Sequence, residues 1–430
     1  MVWFYEMKRT MSRPFILALV LLIALIACPR QVHAGDTPKV RQPAVAGAFY
    51  PADANQLTQM IDGFLAQTSV PQIVHPMVII SPHAGYPYSG PVAAYSYALL
   101  RGKKFERVVV IAPSHYEAFP FASIYNGDAY ATPLGTIPVD KDFAAKLASM
   151  NPLIKVSGES HGEVQGHGEH ALEVELPFLQ RVLGQFKLVP IVMGSQNYEV
   201  CRALGVSLAS MLGSKKPGAP STANTLIVVS SDLSHYHPYD EAEKIDHQTL
   251  AAIQEWDYLS LWRNFAARVW EACGGGPIVA AMIAAERLGA NRAQILKYAN
   301  SGDTTGDKSR VVGYGSVVIY NDRKESLARE PNYSLSRQEK EALLKIARQS
   351  VETAVREHKL YQCSDGGLEH LKEARGAFVT LKEHGQLRGC IGYITPVKSL
   401  AETVRDVAAF AALEDRRFKP VTVAELGQLE

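Results

Sequence analysis

The chain has 430 residues, room for two or three domains at about 150 residues each. A composition of 47% hydrophobic and 20% charged residues excludes wholesale disorder, a collagen-like chain and a multi-span membrane protein. Lys plus Arg number 44 against 43 Asp plus Glu, which argues against a nucleic-acid binder that relies on phosphate neutralisation. Five Cys are too few for a disulfide scaffold.

Residues 1–34 read as a secretory signal peptide. Lys8, Arg9 and Arg13 precede an apolar run from Phe15 to Ala27, too short to span a bilayer comfortably. Two cleavage sites compete. Val32-His33-Ala34 precedes Gly35, and Leu25-Ile26-Ala27-Cys28 resembles a lipoprotein box that would make Cys28 a lipidated N-terminus. Both imply an exported protein, periplasmic or envelope-anchored, that meets the membrane only through its signal or lipid anchor; an uncleaved anchor is the alternative. The compartment would be oxidising, which leaves a Cys201–Cys363 disulfide open.

Residues 36–42 form a polar linker. From Pro43 to Tyr320 short β-branched runs (77–80, 108–111, 188–192, 226–229 and 317–319) alternate with helix candidates at 54–67, 140–149, 170–184, 196–213, 241–264 and 277–289. Runs apolar on both faces suit buried strands. The alternation predicts an α/β fold with a mostly parallel or mixed sheet and helices on both faces. Residues 321–335, charged and carrying Pro331, read as a linker. A smaller α+β domain follows at 336–430. It opens with the capping box Ser336-Arg337-Gln338-Glu339, and two strands, 376–381 and 387–394, meet at a turn over 383–386. A helix covers about 399–412, and no closing strand is visible before Glu430.

The chemistry lies in three strand ends that each run into a His-bearing turn: Ser81-Pro82-His83, Ala112-Pro113-Ser114-His115 and Ser230-Ser231-Asp232-Leu233-Ser234-His235. Ligands of open parallel sheets bind beyond the strands' carboxyl ends. Three such turns would aim His83, His115, Asp232 and His235 at one crevice, a donor set that suits a divalent transition metal; His as an ordinary cap of turns is the alternative. Cys273 precedes Gly274-Gly275-Gly276-Pro277 and a helix, a place where the dipole favours thiolate. It reads as a metal ligand, a nucleophile, or a small packed Cys. His170 and Glu173, at helical i, i+3 spacing beside His161, His167 and Glu169, suit an acid/base pair or a carboxylate behind the crevice, or else a solvated helix start. In the second domain Cys390, after Arg388, is either catalytic or substrate-binding, or else a packed strand residue.

Residues 43–320 resemble the Memo-like family, protein B of the AmmeMemoRadiSam system. The likeness rests on residues 41–51 (RQPAVAGAFYP), Pro82-His83-Ala84-Gly85-Tyr86, Ala112-Pro113-Ser114-His115, Glu169-His170-Ala171-Leu172-Glu173, residues 230–235 and Cys273-Gly274. It implies a fold similar to class III extradiol dioxygenases and a metal held by His83, His115 and Cys273, with Asp232 and His235 close by. Iron is the first choice, copper or zinc the alternatives. Cys273 stands where the dioxygenases use a carboxylate, a departure from ring-cleaving chemistry. Residues 336–430 resemble the AMMECR-type domain, protein A of the same system, through residues 376–381, 387–392 and 415–420; by that resemblance the domain is cut short at its C-terminus. The system's third component, a radical enzyme using S-adenosylmethionine, is the implied partner.

Three readings follow. The first is an exported metalloprotein of redox or hydrolytic, dioxygenase-like chemistry acting on a small molecule or peptide, with His235 as general base, Asp232 as orienting group, and Tyr86, His170 and Glu173 around the substrate or behind the ligands. The second is a Cys-dependent enzyme using Cys273 or Cys390. The third is a non-enzymatic metal or peptide binder with the second domain as an interaction module.

Overall fold

The computed structural model of the chain describes residues 37–164, 167–213, 224–322, 335–393, 398–415 and 417–430. The expected signal peptide, with Cys28 and both cleavage sites, lies outside the described residues, as do residues 323–334 of the expected linker. Among the described residues no helix is long and apolar enough to cross a membrane. The chain falls into two compact units, each described by itself.

In the first unit the elements run β1 (Val40–Arg41), α1 (Ala54–Ala66), β2 (Pro76–Ser81), α2 (Tyr86–Ala98), β3 (Arg107–Pro113), β4 (Ala122–Tyr125), β5 (Ala129–Thr132), β6 (Gly135–Pro138), α3 (Lys141–Ser149), β7 (Ile154–Ser157), β8 (Glu163–Val164) and β9 (His167–Gly168). They continue with α4 (Leu176–Leu183), β10 (Lys187–Met193), α5 (Tyr198–Leu212), β11 (Thr225–Ser230), β12 (His235–His237), α6 (Tyr239–Gln254), α7 (Tyr258–Ala266), α8 (Gly275–Arg287), β13 (Arg292–Asn300), α9 (Ser301–Thr305) and β14 (Val311–Tyr320).

The central sheet has nine strands, in the order β12-β14-β2-β11-β3-β10-β4-β7 with β13 also on β14. The middle four, β2, β11, β3 and β10, are parallel, and antiparallel β14 and β4 flank them. The sheet is therefore mixed around a parallel centre, in keeping with the α/β reading. Side chains along a strand alternate between faces, and here both faces are apolar. Val78, Ile80, Val109, Ile111, Ile227 and Val229 join one core; Ile79, Val108, Val110, Leu226 and Val228 join the other. Helices α3, α5, α6, α7 and α8 cover the first face, and α1, α2 and α4 the second. Each fully buried aliphatic side chain contributes roughly 1.5–3 kcal/mol. Helices α5 and α8 approach so closely at Gly205 that a Cβ there would lie 2.6 Å from the Ala280 carbonyl oxygen, which only glycine allows.

Two helix expectations change. The 241–264 segment is two helices, because Trp256 takes a left-handed φ of 63° and Asp257 caps a new start by accepting from the Ser260 amide at 3.0 Å. The 170–184 segment begins late: a 3-10 turn covers Glu173–Glu175 and α4 starts at Leu176. His170 thus stands before the helix rather than on it.

In the second unit α10 (Arg337–Glu357) carries the Ser336/Glu339 capping box. It is followed by α11 (Glu369–Lys372), the antiparallel pair β15 (Ala377–Glu383) and β16 (Gln386–Tyr393), and α12 (Leu400–Leu413). Positive φ at His384 and Gly385 fits the two-residue hairpin turn. Val351, Val355, Leu381, Ala408 and Ala412 form one of its cores.

Candidate metal centre

Strand β11 lies between β2 and β3, so the turns leaving all three emerge side by side at the carboxyl edge of the parallel strands. This topology gathers His83, His115 and Asp232 although they lie far apart in sequence. Ser81 and Ser230, the last residues of β2 and β11, are register partners.

His83 is 1% exposed. Its amide donates to Asp232 Oδ1 at 2.8 Å, and its Nδ1 lies 2.7 Å from Ser230 Oγ. Ser230 Oγ in turn donates to the Ala171 carbonyl at 2.6 Å. The single hydroxyl proton is thereby used, so Ser230 accepts from Nδ1–H and His83 keeps its lone pair on Nε2. His115 is held by Glu169: the amide reaches Oε2 at 2.5 Å and Nδ1 lies 2.9 Å from Oε1. Glu169 Oε1 also accepts the amides of His170 and Ala171 at 2.9 and 3.0 Å. That use of the amides places His170 over the same spot, its ring stacked on His115 with centroids 4.7 Å apart and 5.5 Å from His83.

Ligand nitrogens of His83, His115 and His170 lie within 4.8 Å of one another, a group that could hold a metal ion. His170 Nδ1 is buried without a hydrogen-bond partner, 3.7 Å from Glu169 Oε1. A buried nitrogen left unpaired is costly and is what a cation would satisfy. Burial lowers the His83 pKa well below its ordinary value, with His115 adding to it. Burial, then His83 and His115, push His170 down to about 4. Both are therefore neutral imidazoles, the form that binds metals. For His115 burial acts against charge, yet the Glu169 hydrogen bond raises its pKa. Burial alone would raise the Glu169 carboxyl; His115 and the surrounding amides hold it at about 2.

Cys273 joins this group through His83: its Sγ lies 3.2 Å from His83 Nε2, and the Asp232 amide donates to it at 3.2 Å. Gln196 Nε2 and Ser231 Oγ hold its turn by bonding the Cys273 carbonyl and the Gly274 amide. Burial, followed by Asp232, pushes the Cys273 thiol up. This runs against the thiolate expected from a helix start, because desolvation is the largest influence on the thiol. Asp232 is 4% exposed and burial raises its pKa against the pull of His235. His235, half-buried at the start of β12, has its amide on Glu271.

Two expected crevice residues are tied into the packing behind it. Tyr86 OH donates to the Val174 carbonyl at 2.8 Å, and Glu173, 0% exposed, bonds Arg41, Ala44, Val45 and Tyr50. His161 is separate: Tyr130 OH contacts its Nδ1 and the Ser123 carbonyl its Nε2. In the second unit Arg388 pairs with Glu425 and the Lys419 carbonyl rather than with its neighbour's thiol. Cys390 Sγ contacts Thr380 Oγ1 at 3.3 Å, and the guanidinium at its carbonyl is Arg417. All four described cysteines are free. Sequence reasoning gave His170 a supporting role and passed over Ser230; the signal for both was adjacency, Glu169 directly before His170 and Ser230 ending an apolar strand.

The family model described as Memo-like protein matches residues 41–318. The chain belongs to the Memo-like family. A second family model, AMMECR1, matches residues 344–430 of this Memo-like chain. Curated relatives named MEMO1 family protein include one from Sulfolobus acidocaldarius, 37% identical across 65% of this chain and 98% of its own length. Another, from Aeropyrum pernix, is 38% identical across 65% of this chain and 100% of its own. Among solved structures, an uncharacterized protein from Pyrococcus horikoshii is 32% identical over 22% of this chain with a TM-score of 0.21. The match spans 49% of that protein's length.

Proposed function

We propose that this Memo-like chain is an exported metalloprotein that binds one divalent transition metal, iron in the first place, through His83, His115 and His170, with Cys273 against His83 as a further donor. The observation that carries the reading is the convergence of three imidazoles with the Nδ1 sides of two already occupied, by Ser230 and Glu169. Such a donor set suits Fe(II), Cu or Zn and disfavours Mg and Ca.

Bound there, the metal would supply Lewis-acid or redox chemistry to a small-molecule or peptide substrate. The chain's own residues do the rest. Ser230 and Glu169 hold His83 and His115 in the tautomer that leaves Nε2 free. Asp232 fixes the His83 backbone through its amide, and His235 serves as the general base at the crevice. Cys273, with Sγ 3.2 Å from His83 Nε2, acts from within this donor set. The AMMECR-type domain and a radical S-adenosylmethionine enzyme complete the proposed system. Elemental analysis of anaerobically purified protein tests the reading: about one transition metal per chain supports it, and metal-free protein that takes up none on titration with Fe(II), Cu or Zn overturns it.

A further inference from the structure

Every hydrogen bond made by the Glu173 side chain among the described residues comes from one ten-residue stretch. Oε2 accepts from Arg41 Nη1 and, at 2.8 Å, from the Ala44 amide. Oε1 accepts from the Val45 amide at 3.0 Å and from Tyr50 OH at 2.6 Å. Glu173 is 0% and Arg41 7% exposed, so the ion pair is desolvated and loses heavily if either partner is withdrawn.

The same stretch touches the segment that carries Glu169 and His170 from two sides. Arg41 Nε and Nη2 donate to the carbonyls of His161 and Glu169, and Glu169 is the carboxylate that orients His115. The Phe49 ring lies 4.8 Å from the His170 ring, while the Phe49 carbonyl accepts the Tyr86 amide at 2.7 Å and so fixes the start of the helix that follows His83. Ala44 packs on Gly168, where an added Cβ would lie 2.3 Å from the Ala44 Cβ. Residues 41–50 therefore close over the segment carrying Glu169 and His170, with Glu173 as their anchor.

We infer that Glu173 is a positioning residue for the metal centre: it clasps residues 41–50, and docking of that clasp and occupancy of the three-histidine site stabilise each other. The inference rests on the metal-binding reading above. Coupling of this kind is reciprocal. If the docked clasp raises metal affinity by some factor, bound metal must favour docking by the same factor, a behaviour that a merely structural carboxylate does not show.

The test uses the full chain with Zn(II) as probe and reads two quantities, zinc affinity and amide hydrogen exchange of residues 41–50. In the wild type, zinc should slow exchange there by about tenfold or more. Glu173→Gln should weaken zinc binding by about 10–100-fold, the range for residues that orient metal ligands, and Tyr50→Phe by less. Should Glu173→Gln fail to fold, Phe49→Ala, which leaves the hydrogen bonds to Glu173 intact, should still lower zinc affinity several-fold. The coupling is overturned if the wild type binds zinc with unchanged exchange over 41–50, or if the folded variants keep wild-type affinity. A wild type that binds no zinc, iron or copper overturns the metal reading itself, and the clasp with it.

Discussion

His115 and Glu169 are joined twice, through the His115 amide at 2.5 Å and through Nδ1 at 2.9 Å. Because Glu169 Oε1 also takes the His170 amide, a single carboxylate sets the ring of one candidate ligand and the backbone of the next. Replacing it should therefore disturb two ligands at once.

Glu169→Gln keeps the shape and removes the charge. Partners of this kind typically cost 10–100-fold in metal affinity when lost, and the upper part of that range is expected here. Ser230→Ala, which frees the tautomer of His83 alone, should cost less, about tenfold. Isothermal titration of each variant with Zn(II) checks the order; equal effects would show that Glu169 acts on His115 only.

Cys273→Ser should weaken metal binding and move preference toward harder ions, since a soft sulfur donor is exchanged for a hydroxyl. Competition between Zn(II) and Mn(II) measures this. Unchanged selectivity would place Cys273 outside the donor set and leave the three imidazoles alone.

The buried Glu175 gives a pH signature of folding. Burial raises its carboxyl from 4.5 to about 8, so the folded chain holds a proton that the unfolded chain releases above 4.5. Its contribution is complete below that pH and is lost as pH rises toward 8, at about 1.4 kcal/mol per pH unit. Tyr97 OH already donates to one of its oxygens. Glu175→Gln should be nearly neutral at pH 5 and gain on the wild type up to about pH 8. Denaturant midpoints at pH 5, 7 and 9 decide it; parallel curves would mean that the group is charged in the folded state.

Gly205→Ala should destabilise the first unit by about 1–3 kcal/mol through overpacking, because the new Cβ meets the α8 backbone. Metal affinity should change less than stability, since neither helix carries one of the three histidines and only Cys273 adjoins the start of α8. Thermal melting measures the first effect, and a melt equal to wild type would contradict the close approach of α5 and α8.

The parallel centre of the sheet was legible because Val108–Ile111 or Leu226–Val229 must be apolar on both faces to lie between two helical layers. Strand β13 was not: its burial is mostly partial, and the RAQILKYAN stretch carries no continuous apolar run. His83 and His115 were legible from the repeated strand-then-His pattern. The helix was expected to reach back to His170 because of the i, i+3 spacing, whereas Glu169 diverts the His170 and Ala171 amides to its own side chain and the helix starts later. The upward push of burial on the Cys273 thiol was not legible because a helix start is visible in sequence and desolvation is not.

Metal stoichiometry of anaerobically purified protein, compared between the wild type and His83→Ala, His115→Ala and His170→Ala, tests the central claim most directly. The account predicts about one transition metal per wild-type chain and a loss of most of it in each of the three variants. Folded variants of all three that retain wild-type metal content would contradict it.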